Sequence, residues 1–416
     1  MTMLRRGIAF FAADATARAI AFVVLVAAAR VLGPAEFGRF AFVYAVVAIG
    51  LLLADFGLTP LVLRQLSRSD RFDARLFWSA AGVNVVIGAS LYLTLVLVLS
   101  ASSRADVGVA SVYGLVLVVQ AVATSIDAAL LASGKAPLLG TLRVAGNVVL
   151  ALTATLALLI SPSAVSVGAA FTAGAIAKLL LTALASRNIV TWARPSAKVA
   201  VVLLRRSAPF ALAALVSFLY FRIDIIFLRI LADARTVGEY AAAYRVLDAL
   251  ILAPAAIAYT FFPRWSRDRR VGHDFAYVAV TLITLGVVAA VGLAIFGPRL
   301  SDLVFGTSFG TTGDVIRILA LGVPVLFFDV VAVWIAYSRG RERGVVIVSA
   351  VALVTNVALN LLLIPSHGAA GAAIATVVSE CVNGLGYVVL LGGLSSLSRI
   401  KLVPVARVAL PPVDDR

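Results

Sequence analysis

The chain has 416 residues, of which 62% are hydrophobic and only 13% charged, with a mean hydropathy of +1.08. A soluble domain carries about 25% charged residues, so a water-soluble fold is excluded and the lipid bilayer is the solvent that suits such a chain. One cysteine (Cys381) and two histidines (His273, His367) exclude an internal disulfide framework and argue against a Cys/His metal site, and the net charge of +15 sits in loops between apolar runs rather than on a nucleic-acid-binding face.

The chain opens with Arg5-Arg6 and an apolar stretch that continues to about Leu32. No A-x-A-like site ends a short core, so this stretch reads as a retained first membrane span rather than a signal peptide. Apolar windows bounded by charges or Gly/Pro/Ser turns then place spans at 8–30, 40–63, 76–100, 107–132, 138–160, 164–186, 207–230, 240–262, 275–297, 312–337, 345–364 and 371–394. An open strand cannot satisfy its backbone in lipid, so all are helices. The expected fold is an all-α polytopic membrane protein of about twelve transmembrane helices. Cys381, in the last apolar run, is expected to be buried.

With the N-terminus inside, 23 of the 35 Lys and Arg residues fall in inner segments, 6 in outer segments and 6 within spans. The positive-inside rule then predicts a multi-pass protein of the plasma (cytoplasmic) membrane with both termini cytoplasmic.

The basic stretch at 187–206 divides the chain into an N-terminal six-helix lobe (1–186) and a C-terminal six-helix lobe with a short cytoplasmic tail (207–416). Even span numbers in each half fit two pseudo-symmetric, parallel repeats. The sequence itself repeats: RVLGPAEFGRFAFVY (30–44) is echoed by RILADARTVGEYAAAY (229–244), which aligns Gly38 with Gly238, Phe40 with Tyr240 and Tyr44 with Tyr244.

Four stretches carry a family likeness: residues 29–68 with Leu32-Gly33, Glu36-Phe37-Gly38 and Asp55-Phe56-Gly57; 221–250 with Asp224 and Val237-Gly238-Glu239-Tyr240; 132–150; and 355–380. Together they resemble the oligosaccharide flippase (polysaccharide biosynthesis) family of the multidrug/oligosaccharidyl-lipid/polysaccharide (MOP) transporter superfamily. The resemblance implies a two-lobed transporter that flips undecaprenyl-diphosphate-linked oligosaccharide from the inner to the outer leaflet by alternating access. The glycan would be destined for O-antigen, capsule or exopolysaccharide. It also implies polysaccharide polymerase or glycosyltransferase partners. The alternative is a cation-coupled multidrug efflux pump of the same superfamily. A membrane enzyme ranks below both, because no large outer loop is available to carry catalytic residues.

Charges inside spans are costly and mark functional candidates. A diphosphate crossing the bilayer needs cations around a cavity, and arginine's forked donors suit that task. The candidates for the diphosphate/sugar cavity are Arg18, Arg222, Lys178 and Arg143. Arg18 leads, with Asp14 one turn before it. Arg222 lies in the counterpart helix of the second lobe, which suggests one cavity shared between the lobes. Arg143 and Lys178 lie closer to the inner end, where snorkelling to the interface is the favoured reading. Arg245 and Asp248 are spaced as a packing pair, and Arg317 as an interface anchor. Glu380, Asp329 and Asp55 are candidates for coupling to H+ or Na+, although a structural role is the favoured reading for each. Pro254 and Pro324 are expected to kink their helices and act as hinges. SGKAP (133–137) lacks the P-loop pattern, so no ATP hydrolysis and no cofactor are expected.

Overall fold

The computed structural model describes residues 3–68, 72–267 and 272–392. Expectations for Arg71, Arg269, Arg270 and the tail beyond residue 392 lie outside the described residues, as do those for the side chains of Arg5, Arg6, Arg264 and Arg267.

Fourteen helices are described, and no strand occurs among the described residues. The first, α1 (Met3–Asp55), holds two spans as two arms. Gly33 breaks it with φ 72°, a conformation that suits glycine, and Pro34 opens the second arm, where a missing N–H costs nothing. Both arms then line one cavity, through Asp14 and Arg18 on the first and Tyr44 and Leu51 on the second. At the other end of the chain, α14 (Glu342–Leu390) folds back at Gly368 in the same way. Gly344 there lies against Leu390, and Gly386 against Val348.

Several spans are interrupted. The second passes from α1 to α2 (Leu58–Leu66) through Phe56 and Gly57, both at positive φ. The fourth is α4 (Arg104–Tyr113) with α5 (Val116–Ala132), and the eighth is α9 (Ala234–Leu250) with α10 (Leu252–Arg267). The tenth is α12 (Thr312–Ala320) with α13 (Val323–Ser338), bent by 55°. Spans 2 and 4 of each half are therefore the broken ones. Pro254 and Pro324 stand in the first turn after the breaks of the second half rather than in mid-helix, where each sets φ for a new helix and forfeits no hydrogen bond. The other spans are α3 (Ala74–Ser102), α6 (Ala136–Ile160), α7 (Ala164–Ser186), α8 (Ala197–Leu231) and α11 (Gly272–Val304). All twelve expected spans thus have a helical counterpart, six on each side of residues 187–196.

The basic stretch at 187–206 is partly helix, because α8 begins at Ala197. Its preceding segment is pinned to α3. The Trp78 indole donates to the Thr191 carbonyl at 3.0 Å and packs on Trp192 at 4.7 Å, and the Ser196 amide donates to the Ser79 hydroxyl at 2.9 Å.

The two halves meet at the Gly33 end. A Cβ on Gly38 would lie 1.7 Å from the Ala234 carbonyl oxygen, and one on Gly238 would lie 1.9 Å from the Pro34 carbonyl oxygen. The crossing is reciprocal, each glycine resting on the backbone four residues before the other, so helix touches helix with no side chain between. Around it, Arg229 of α8 reaches the fully buried Asp106 of α4 at 2.6 Å and Ser103 at 3.1 Å, Arg30 donates to the Leu303 carbonyl at 2.7 Å, and Phe37 meets Phe309 edge-on at 6.3 Å. Cys381 corrects its expectation: it is exposed, because an apolar run in a membrane helix does not reveal which face looks outward to lipid.

Candidate functional site

The site is assembled by close helix contacts in the first lobe. A Cβ on Gly140 would meet the Ala13 methyl at 2.8 Å, which draws α6 onto the first arm of α1. Gly146 and Gly174 do the same for α6 and α7, each lying against the other's carbonyl oxygen and against Lys178 or Leu150. Small residues at such crossings let membrane helices approach closely. Three of the four helices that carry the in-span charges are thereby held close, and α5, which carries Asp127, packs against α7.

Those charges form one chain. Arg18 Nε donates to Asp14 at 2.8 Å, and Arg143 donates to Asp14 at 2.6 Å and to Asp127 at 3.2 Å. Lys178 donates to Asp127 at 2.9 Å and to the Gln120 side-chain carbonyl at 3.3 Å. The Arg143 guanidinium also lies over the Phe10 ring, 5.4 Å from its centre. Arg18, Arg143 and Lys178 line one cavity of about 430 Å3 together with Asp14, Asp127 and Gln120. Its whole lining comes from α1 and α4–α7, with Tyr44, Tyr113 and Phe171 as its aromatic wall. Three cations face two carboxylates, which leaves the cavity with one net positive charge.

The structure therefore brings three of the four predicted cavity cations together and leaves the fourth apart. Arg143 and Lys178 do not snorkel. Their side chains are 27% and 14% exposed and turn inward, because Asp127, which is only 7% exposed, offers a nearer charge partner than the interface does. Arg222 stands in the second lobe instead. It pairs with Asp248 at 3.3 Å and lies over the Tyr244 ring at 5.2 Å. Arg245 bonds the same Asp248 at 2.9 Å, as its spacing predicts, and lies over Tyr44 at 5.4 Å. Since Tyr44 lines the first-lobe cavity, Arg245 is the second lobe's contact with the cavity wall. Arg317 bonds Asp314 at 3.2 Å and is half exposed. Asp127 is the residue that sequence reasoning failed to place. Its signal was present, because an acid in a span next to two spans that each hold one cation invites a partner.

The three acidic candidates separate. Asp55, the last residue of α1, accepts from the Thr59 amide at 3.3 Å and from the Thr59 hydroxyl, so it ties the first turn of α2 to α1 across the break at Phe56-Gly57. Asp329 and Glu380 are buried side by side between α13 and α14, and Asn383 donates to Asp329 at 2.8 Å. Nearby, Asp224 accepts from the Tyr240 hydroxyl at 2.5 Å and the Thr376 hydroxyl at 2.9 Å. Among the described residues, none of these three second-lobe carboxylates forms an ion pair with Lys or Arg.

Comparison with known proteins agrees with this architecture. The sequence pattern of the family described as "Polysaccharide biosynthesis protein" matches residues 3–268. A Haloferax volcanii protein described as "probable low-salt glycan biosynthesis flippase Agl15" is 26% identical over 92% of this chain and 82% of its own length. Among solved structures, the lipid II flippase MurJ in an inward closed conformation superposes with a TM-score of 0.76 at 14% identity, over 95% of this chain and 89% of that one. An inward-facing multidrug resistance MATE family transporter of the MOP superfamily gives 0.70 at 14% identity, over 93% and 96%. These likenesses establish the two-lobed transporter fold, and the match over residues 3–268 makes the chain a member of the polysaccharide biosynthesis protein family.

Proposed function

We propose that this membrane protein flips a lipid-linked oligosaccharide between leaflets by alternating access, with the lipid diphosphate held in the first-lobe cavity. The observation that carries the reading is the Arg18–Arg143–Lys178 cluster. Three cations from three helices converge on one cavity in a span region where a bare diphosphate would otherwise be very unfavourable. Arginine forks bind phosphate oxygens two at a time, and Lys178 supplies a point charge beside them. The aromatic wall offers faces for sugar rings. The inner leaflet is the source side, and both termini are cytoplasmic. The lobes, closed together at the Gly38–Gly238 crossing, would separate there to release cargo outward, bending at the breaks that Pro254 and Pro324 follow. Asp329 and Glu380 are the groups for a coupled H+ or Na+, and a polymerase or glycosyltransferase would handle the glycan before or after flipping.

The multidrug efflux reading calls for carboxylates available to a cationic drug. In the first-lobe cavity Asp14 and Asp127 are already held by arginine and lysine, which favours an anionic cargo over a cationic one at that site.

The test is leaflet location of a fluorescent lipid-diphosphate oligosaccharide in proteoliposomes, with and without an imposed pH gradient. The native protein is expected to move it. Arg143→Ala, which leaves Asp14 and Asp127 short of their shared partner, is expected to slow movement at least about tenfold, in line with the loss of a charge-assisted hydrogen bond. Unchanged movement in that variant sinks the cavity assignment.

A further inference from the structure

The cavity holds its own anions, and their arrangement has a consequence for how cargo leaves. Asp127 contacts Arg143 and Lys178 through a single oxygen, Oδ2, at 3.2 and 2.9 Å. Its other oxygen, Oδ1, is buried and accepts no hydrogen bond from the described residues. One oxygen shared by two cations is a weaker clasp than the bidentate pairing a carboxylate gives to arginine. Asp14 does the equivalent work on the other side of Arg143, using one oxygen for Arg143 and the other for Arg18. Among the described residues Arg18 is engaged only through Nε, and it is 70% exposed, so it meets an incoming anion first.

We propose that Asp127, with Asp14, is an exchangeable internal counter-ion that competes with the cargo's diphosphate for Arg143 and Lys178 and drives its release. The proposal rests on the reading of the cavity as a lipid-diphosphate site. A diphosphate brings two charges and several oxygens, so it displaces the single-oxygen clasp and takes both cations. When the cargo moves on, the carboxylates recapture the cations. Without them, three like charges would face a low-dielectric interior, and removing one partner of such a buried pair is strongly unfavourable. A cationic cavity with no internal anion would bind more tightly and turn over more slowly. Asp127 is thus a residue for release, which acts on the cargo through Arg143 and Lys178.

The experiment uses the full-length protein in nanodiscs, with farnesyl diphosphate as the binding probe by titration calorimetry and the leaflet assay above for turnover. Asp127→Asn keeps the shape and removes the competing charge. Its Kd is expected to fall about tenfold, the worth of one charge-assisted hydrogen bond, while multiple-turnover flipping slows. Asp127→Glu is expected to restore the native Kd. Tighter binding with slower flipping supports the exchange. Weaker binding with slower flipping is what a purely structural Asp127 would give, and it overturns the proposal, as does an unchanged Kd. Should Asp127→Asn fail to fold, Asp14→Asn carries the same test with the same signs. Native protein that binds the probe while Lys178→Met does not keeps the cavity reading intact whichever way Asp127 falls. Native protein that binds no diphosphate overturns both.

Discussion

The two lobes share a scaffold and differ in their charge chemistry. Each has a first helix that turns back at the same end, and each has broken second and fourth spans. The first lobe pairs every cavity carboxylate with a cation: Asp14 with Arg18 and Arg143, Asp127 with Arg143 and Lys178. The second lobe buries Asp329, Glu380 and Asp224 among amides, hydroxyls and one another. A lobe with net positive charge beside a cavity suits an anion. A lobe that pairs Asp248 with Arg222 and Arg245 but keeps these three buried carboxylates apart from arginine and lysine suits a proton or a small cation. Duplicated architecture has thus allowed two different chemistries to be placed on equivalent frames, joined where Arg245 lies over Tyr44.

The strongest way to break the comparison is at the feature both lobes hold in common. Gly238→Ala puts a methyl group about where the Pro34 carbonyl oxygen sits, and Gly38→Ala does the same to Ala234. Neither backbone can yield as a flexible side chain would. Each variant is expected to lose about 3 kcal/mol or more of the closed arrangement, at the top of the overpacking range. Cross-linking of cysteine pairs across the Arg229–Asp106 contact, and melting in detergent, would read the loss. Equal effects at the two glycines would confirm the crossing as symmetric, and a large effect at one alone would show that the lobes do not share the contact equally.

A smaller effect sharpens the contrast between the lobes. Glu380→Gln removes a carboxylate that adjoins Asp329 and leaves the first-lobe cavity untouched. If the second lobe carries the coupled ion, the variant is expected to keep native diphosphate affinity and an unchanged or raised melting temperature, because two like groups no longer compete for one buried space. Its flipping is expected to lose at least about tenfold of its response to an imposed pH or Na+ gradient. Altered diphosphate binding in this variant would erase the division of labour.

The twelve spans, the repeat and three of the cavity cations were legible in the sequence, because hydropathy windows and in-span charges are local signals. Gly38 and Gly238 were even aligned as equivalent positions. That they touch was not legible, since matching positions in two repeats can be far apart. The cavity network was hidden for a related reason. Arg143, Asp127 and Lys178 lie on three spans, and Gly146 and Gly174 set how closely the spans of Arg143 and Lys178 approach. Spacing along one helix predicts an i,i+4 pair such as Asp14–Arg18 and says nothing of a pair between helices. The same limit placed Arg222 in a shared cavity and Cys381 in a core.

The finest difference between the lobes lies in how their repeated turns begin. Gly33 and Pro34 start the second arm of α1, whereas at the equivalent place Asp233 starts α9. Asp233 is exposed in the turn between spans and accepts from the Thr236 amide at 2.7 Å, the bond of a helix N-cap. That bond holds the Asp233 carboxyl below the usual carboxylate range. A depressed folded-state pKa means that the cap's contribution is present above the unfolded value, near 4, and fades as pH falls through the folded one. Asp233→Ala is therefore expected to cost about 1 kcal/mol at neutral pH. The gap between variant and native should shrink below about pH 4, as protonation disarms the native cap as well. Melting curves at pH 7 and pH 3 would measure both. A variant at Gly33 has no such pH dependence to lose, because its turn rests on backbone conformation rather than on a charge. A pH-independent difference at Asp233 would show that the two turns are built alike after all.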